Sequence, residues 1–315
     1  MRIVPVVEKL KKRIYRQFDR IKFNRKPNKQ EQLLIEELKE EVKRISHTYL
    51  FDSKNATDDW FENQKILADL ILTSDPRQFL KWENIEYTMF HGNPAEIEFK
   101  SLLNSANWNK WKKCIEEDII GYPERSYLFA NSSGNLIHHA YSLKQLIDKS
   151  DLNIQSISSI FEFGGGYGSF CRMTYKNGFK GSYTIFDFPI FNALQKYFLK
   201  STDLPLTIGN SIISPASINN VNLISDINSD HLNFEIFIAL WSISESPLPI
   251  REKIFSSIKN IKYYLISYAD EYAGVDNIEY FKRFQSANTN YHWYNYKIDH
   301  IKGSNYLIGI INTIK

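Results

Sequence analysis

The densest run of chemistry-bearing residues is Ile160-Phe161-Glu162-Phe163-Gly164-Gly165-Gly166-Tyr167-Gly168. An apolar stretch ends on an acid, glycines follow at the alternate positions 164, 166 and 168, and a helical pattern resumes. Glycine suits such a place because the backbone can turn tightly and lie against a ligand with no Cβ between. In open α/β sheets the ligand sits beyond the carboxyl ends of the strands, where this turn falls. A pyrophosphate site of the form G-x-G-x-x-G needs a third small residue. Counted from Gly164 that position is Ser169, and counted from Gly166 it is Cys171, so the dinucleotide spacing is missing. A second acid, Asp187, ends the run Tyr183-Thr184-Ile185-Phe186, nineteen residues past Gly168. That is close to the roughly 20-residue interval at which an acid on the second strand meets ribose hydroxyls. Its blander role is to cap the next helix. Asp226, after the run 221–225, is either a residue of the adenine side or an ordinary turn residue.

These residues require a scaffold that holds strand ends and helix starts in register. From residue 150 onward, short apolar runs alternate with amphipathic ones: 157–163, 169–177, 182–186, 190–200, 234–241, 249–259, 263–268 and 306–311. Such alternation predicts a doubly wound α/β fold, a mostly parallel sheet covered on both faces. Residues 290–313 contain two strand-like runs around Lys302-Gly303-Ser304, which predicts an antiparallel hairpin closing the sheet. Upstream, 31–44, 58–73 and 96–120 carry helical periodicity, broken at Gly92-Asn93-Pro94. The expected division is a helical region over 1–145 and an α/β domain over 146–315.

Composition narrows the function classes. Cys114 and Cys171 are the only two cysteines and have no C-x-x-C spacing. That argues against a disulfide framework or a cysteine-rich zinc site and fits a reducing cytoplasm. No run approaches the roughly 18 apolar residues of a bilayer span, and the first residues lack a secretory cleavage pattern. The net charge of +3 hides an asymmetry: residues 1–29 carry eleven Lys/Arg against Glu8 and Asp19, which leaves the rest of the chain mildly acidic. A basic leader on an acidic body disfavours nucleic acid as a partner. Within that leader Val6, Leu10, Ile14, Phe18 and Ile21 recur at spacings of three or four. Such a helix either packs its stripe on its own protein or attaches peripherally to an anionic membrane surface, here the inner face of the membrane.

Taken together, 161–168, Asp187-Phe188-Pro189, Trp241-Ser242-Ile243-Ser244-Glu245-Ser246-Pro247 and Asn135-Leu136-Ile137-His138-His139 resemble the sugar O-methyltransferases of bacterial polysaccharide and antibiotic-sugar pathways. The spacing E-x-G-x-G-x-G is similar to the signature of S-adenosylmethionine-dependent methyltransferases of the doubly wound class. The likeness runs from about residue 50 to the end. It implies a Rossmann-like methyltransferase sheet, S-adenosylmethionine as cofactor and a sugar hydroxyl, free or on a glycan, as acceptor. It further implies that Glu162, Gly164, Gly165, Gly166 and Gly168 line the methionine and ribose side, that Asp187 meets the ribose, and that Trp241 borders the cofactor. Related small-molecule O-methyltransferases carry a base histidine in a stretch like 241–247, where this chain has Ser242, Ser244 and Glu245.

Methyl transfer from a sulfonium is an in-line displacement, and holding that geometry supplies much of the rate. A sugar hydroxyl is about as weak an acid as water, pKa roughly 15.7, so a base or a metal should take up its proton. The candidate bases are His139 of the His138-His139 pair, Glu245 and His300. Packing in a helix turn is the blander role for the histidine pair, and capping the helix that follows for Glu245. Glu245 with Asp270 would alternatively ligate Mg²⁺. Tyr291, Trp293, Tyr294 and Tyr296 either stack on a sugar or fill the core as ordinary strand formers. Two rival readings stay open. One is an NAD(P)-dependent sugar oxidoreductase or epimerase, which lacks the G-x-x-G spacing and a Tyr-x-x-x-Lys pair. The other is a non-catalytic S-adenosylmethionine-binding protein.

Overall fold

The computed structural model describes residues 3–47, 56–88, 94–211, 218–227 and 232–312. The expected break at Gly92-Asn93 lies outside them. Eight strands form the central sheet: β1 (Ser159–Phe163), β2 (Ser182–Phe186), β3 (Thr207–Gly209), β4 (Asn220–Ile224), β5 (Ile236–Leu240), β6 (Tyr263–Ala269), β7 (Tyr291–Lys297) and β8 (Ser304–Ile311). Their spatial order is β7-β8-β6-β5-β1-β2-β4-β3. The six strands from β6 to β3 in that order are parallel. β8 inserts antiparallel between β6 and β7, which is the expected hairpin. The chain leaves β1 on one side through β2 and restarts at β5 on the other. That reversal opens the crevice in which α/β sheets hold ligands.

Strand periodicity explains how so short a run as β1 specifies its place. Every residue of β1 is buried, as a central strand covered on both faces requires. Ile160 joins one core, with Tyr183, Val221 and Ile308, while Phe161 and Phe163 join the other, with Phe186, Phe237 and Ile266.

Among the described residues seven α-helices precede the sheet: α1 (Ile3–Asn24), α2 (Lys29–His47), α3 (Asp58–Thr73), α4 (Glu83–Thr88), α5 (Pro94–Leu103), α6 (Trp108–Cys114) and α7 (Gly134–Ser150). Four more interleave with the strands: α8 (Ser169–Lys176), α9 (Pro189–Lys200), α10 (Leu248–Ser257) and α11 (Asn277–Ala287). The helices α2 and α3 pack on α9, and α7 packs on α8 and β6. One continuous core therefore runs from Leu38 and Val42 through Leu67, Ile71 and Leu143 to Ile160 and Ile308. The helical region is a layer on the sheet, and α7 runs across the expected boundary at 145 to end at Ser150. The opposite face is closed by Ile250 and Ile254 of α10 and Phe281 of α11.

Two expectations resolve here. The aromatic strand β7 is structural: Tyr291 and Trp293 pack against one core, Tyr294 and Tyr296 against the other, and Trp293 covers Gly309 on the paired strand. In α1 the packing is the reverse of an ordinary surface helix. Leu10, Ile14, Phe18 and Ile21 are exposed, while Glu8, Asp19 and Phe23 are buried. The side chain of Val6 lies outside the described residues.

Candidate functional site

The chain leaves β1 through a turn in which Gly164, Gly166 and Gly168 have φ of 71°, 55° and 93°. This is left-handed backbone that side chains strain against. Part of the demand for glycine comes from the protein itself. A Cβ on Gly164 would strike the side chain of Ser242, and one on Gly165 would lie 2.6 Å from Ile185 Cγ2. Ser242 reaches that position because its hydroxyl donates to the Phe163 carbonyl. Gly168 serves as the N-cap of α8.

Asp187 follows β2 and is half-buried. Its Oδ1 accepts from the Phe188 amide (2.8 Å) and its Oδ2 from Gln195 Nε2 (2.7 Å). The same nitrogen of Gln195 donates to the Gly166 carbonyl (2.9 Å), so α9 ties the glycine turn to the acid. Helix α9 has Phe188 at its N-cap and no side-chain cap, so Asp187 does not serve as one. Burial pushes the Asp187 carboxyl up to about 7, against the amides of Phe188, Gly165 and Gly166 and the Gln195 side chain. Burial likewise pushes Glu162 up to about 8, opposed by the hydrogen bond from the Tyr183 hydroxyl (2.9 Å). Two acids held near neutrality by burial are poised to ionise for a cationic ligand, whose charge would offset that cost.

A cleft of about 1140 Å³ opens over these strand ends. Small-molecule sites commonly span roughly 300–1,000 Å³, so the cleft has room for two ligands. The sheet contributes Glu162, Gly164, Gly165, Gly166, Asp187, Trp241 and Glu245; the helical layer contributes Trp60, Asn63, Asn84, Asn135, His138 and His139. Trp241 has φ of 62°, uncommon and costly for a bulky residue. Its ring lies 5.1 Å from that of His138, and its indole N–H donates to Ser304 Oγ (3.2 Å). The loop that follows is held by buried Arg251, which donates to the carbonyls of Ser244 and Ser246 and to Asn277 Oδ1.

Gly168, Asp226, Asp270 and His300 do not border the cleft. Asp226 is an exposed turn residue that pairs with Lys253 (2.7 Å) and accepts from the Ile227 amide. Asp270 accepts from Asn305 Nδ2 (2.7 Å). Glu245 lies in the cleft, accepts from the Trp60 indole (3.2 Å) and is pushed up by burial. Helix α10 begins after Pro247 without a side-chain cap, so Glu245 is not its cap. Among the described residues no group of three or more His, Cys, Asp or Glu is arranged to hold a metal ion.

The two neighbouring histidines occupy different environments. Ser133 caps α7 by accepting from the Leu136 amide, which places His138 and His139 in its opening turns. His138 Nδ1 lies 2.7 Å from Glu98 Oε1, and His300 Nε2 lies 2.8 Å from the same oxygen. A carboxylate only accepts, so both ring nitrogens donate, and the neutral His138 ring carries its lone pair on Nε2. Burial raises the Glu98 carboxyl, yet His138 and His300 outweigh it and hold the group below the usual carboxylate range. His139 is lowered to about 3, by burial first and then by His138. An imidazole that resists protonation so strongly is a poor proton acceptor near neutral pH. His300 stands behind Glu98 instead of facing the cleft.

Glu98, Gln195 and Trp60 carry no motif. Glu98 alone left a signal. Ala95 and Leu102 are buried on α5, and an acid three residues after the first sits on their stripe, where the helical period calls for an apolar side chain.

No protein-family model and no curated protein matches the chain. Among solved structures it is similar to TrmK of M. capricolum in complex with S-adenosyl-homocysteine, at 17% identity and TM-score 0.33, over 54% of this chain and 66% of that one. It is also similar to the glycopeptide N-methyltransferase MtfA complexed with sinefungin, at 9% identity and TM-score 0.36, over 54% and 85% of the two chains. A third is the magnesium protoporphyrin IX methyltransferase of Synechocystis PCC 6803 with bound S-adenosylmethionine, at 10% identity and TM-score 0.36, over 70% and 99%. Likeness at this level carries no functional inference; function is read from the cleft.

Proposed function

We propose that the chain is an S-adenosylmethionine-dependent O-methyltransferase acting on a sugar hydroxyl, with His138 as general base. The observation that carries this reading is one cleft shared by a glycine turn with two burial-raised acids and, on the facing helix, a histidine held by a buried carboxylate. S-adenosylmethionine, when bound, would supply an electrophilic methyl group whose leaving group is a neutral thioether. The turn at Gly164–Gly166 would let the backbone lie against it, Asp187 would accept bonds from its ribose hydroxyls, and Glu162 would supply a carboxyl to offset its positive charge. His138 Nε2 takes the acceptor's proton as the oxygen–carbon bond forms, and Glu98 stabilises the imidazolium that results. His300 fixes Glu98 from behind, as a positioning residue.

The helical wall supports a hydroxyl-rich acceptor. Trp60 offers an apolar face, and the amides of Asn63 and Asn84, joined at 3.1 Å, offer donors and acceptors. The resemblance of 161–168, 187–189 and 241–247 to bacterial sugar O-methyltransferases adds the sugar class and a place in surface glycan modification. Comparative mass spectrometry of glycans from cells with and without the chain tests the reading. Loss of one CH₂ from a sugar residue is expected, and identical glycan masses would overturn it.

A further inference from the structure

Helix α1 docks on the protein by its polar face. Glu8 accepts from the Ala130 amide (2.8 Å), Asp19 pairs with Arg125 (3.0 Å), and Phe23 stacks on Tyr122 at 4.5 Å. Both acids are buried. The face turned outward is consequently the apolar one. Leu10, Ile14, Phe18 and Ile21 follow one another at i, i+4, i+8 and i+11, with Val7 alongside. Their exposures are 59%, 45%, 66% and 64%, with 43% for Val7. A surface helix ordinarily spends its apolar stripe on the core; here the stripe is left to the outside. By the helical repeat, exposed Arg13 and Arg20 flank one side of it, with Lys9 further round, and Lys11 flanks the other. Lys11 pairs with Glu8, whereas no ion pair joins Lys9, Arg13 or Arg20 to an acid among the described residues.

We propose that α1 is an interfacial anchor: the stripe Val7–Leu10–Ile14–Phe18–Ile21 lies in the surface of an anionic bilayer while the flanking Arg13 and Arg20 meet lipid phosphates. Charge complementarity selects this occupant. Residues 1–29 hold eleven Lys/Arg and two acids, and both acids are turned inward. A second copy of the helix laid on this face would bring like charges together, whereas an anionic surface neutralises them. The anchor does not depend on the cofactor reading of the cleft.

The test floats the full chain with vesicles of phosphatidylethanolamine containing roughly 30% phosphatidylglycerol and, separately, with neutral phosphatidylcholine vesicles, at physiological salt. Binding to the anionic vesicles alone is expected. The variant Ile14→Ser/Phe18→Ser/Ile21→Ser should lose it by at least about tenfold, and Arg13→Gln/Arg20→Gln by on the order of fivefold per charge. All five positions are exposed, so thermal midpoints should not move. Equal binding to both vesicle types, or no binding, overturns the proposal. So does full retention by the triple serine variant, which would mean adsorption by charge alone. A wild-type dimer that the serine variant turns into a monomer, without vesicle binding, assigns the stripe to a second copy instead.

Discussion

Replacing Asp187 with Asn removes one charge and one acceptor while keeping the shape of the side chain. In the wild-type protein burial raises this carboxyl from 3.8 to about 7. The folded state then holds the proton more tightly than the unfolded chain, so the group costs stability as pH climbs from the lower value towards the upper one. Linkage at about 1.36 kcal/mol per unit sets a ceiling of roughly 4 kcal/mol. The part of this that falls between pH 5 and the folded value is roughly 2.7 kcal/mol, and water reaching the half-buried group lowers it to ~2 kcal/mol. The measurable quantity is a difference of differences, in which any pH-independent cost of the substitution cancels. Between pH 5 and pH 8 the wild type should lose about 2 kcal/mol relative to Asp187→Asn in urea unfolding. Affinity for S-adenosylhomocysteine should show the opposite preference. Hydrogen bonds to a charged group contribute about 1.5–3 kcal/mol each, and Asn retains part of the pair, so calorimetry at pH 8 should find the variant on the order of 10²-fold weaker. At pH 6 the wild-type carboxyl is mostly protonated, and the gap should shrink below about tenfold. Equal affinities at pH 8, or the same gap at both pH values, would refute the reasoning.

Other predictions follow from the cleft. His138→Asn keeps a donor towards Glu98 but removes the basic nitrogen; turnover should fall about 10²–10⁴-fold while cofactor affinity stays within about threefold, and His139→Asn should keep most turnover. Glu98→Gln should reduce turnover roughly 10–100-fold by releasing the His138 ring. Because the Glu98 carboxyl is held below its ordinary value, its contribution to stability is present above that value and lost as pH falls, so the variant should flatten the acid limb of the unfolding profile. Gly164→Ala should destabilise by about 1–3 kcal/mol, and adding Ser242→Gly should restore only the packing share, leaving the cost of φ at 71°.

The parts of the molecule legible in sequence were those governed by local period and backbone geometry. The runs 157–163, 182–186 and 234–241 announced buried parallel strands, found at 159–163, 182–186 and 236–240, and alternate glycines after Glu162 announced a tight turn, which proves left-handed. Less legible was whatever depends on side chains meeting across long separations. Glu98, His138 and His300 converge from three elements, and nothing local distinguishes His138 from His139 until Glu98 turns one ring and burial neutralises the other. The stripe of α1 shows the same limit: its period revealed an amphipathic helix, but the choice of inward face was made by Arg125 and the Ala130 amide, more than a hundred residues away.

The proposed function requires that the glycine turn and Asp187 hold an adenosyl ligand, and titration calorimetry of the purified, folded chain tests this directly. One equivalent of S-adenosylhomocysteine should bind, displaced by S-adenosylmethionine, while NAD gives no heat. Silence with both adenosyl compounds, or saturable heat with NAD in their place, would contradict it.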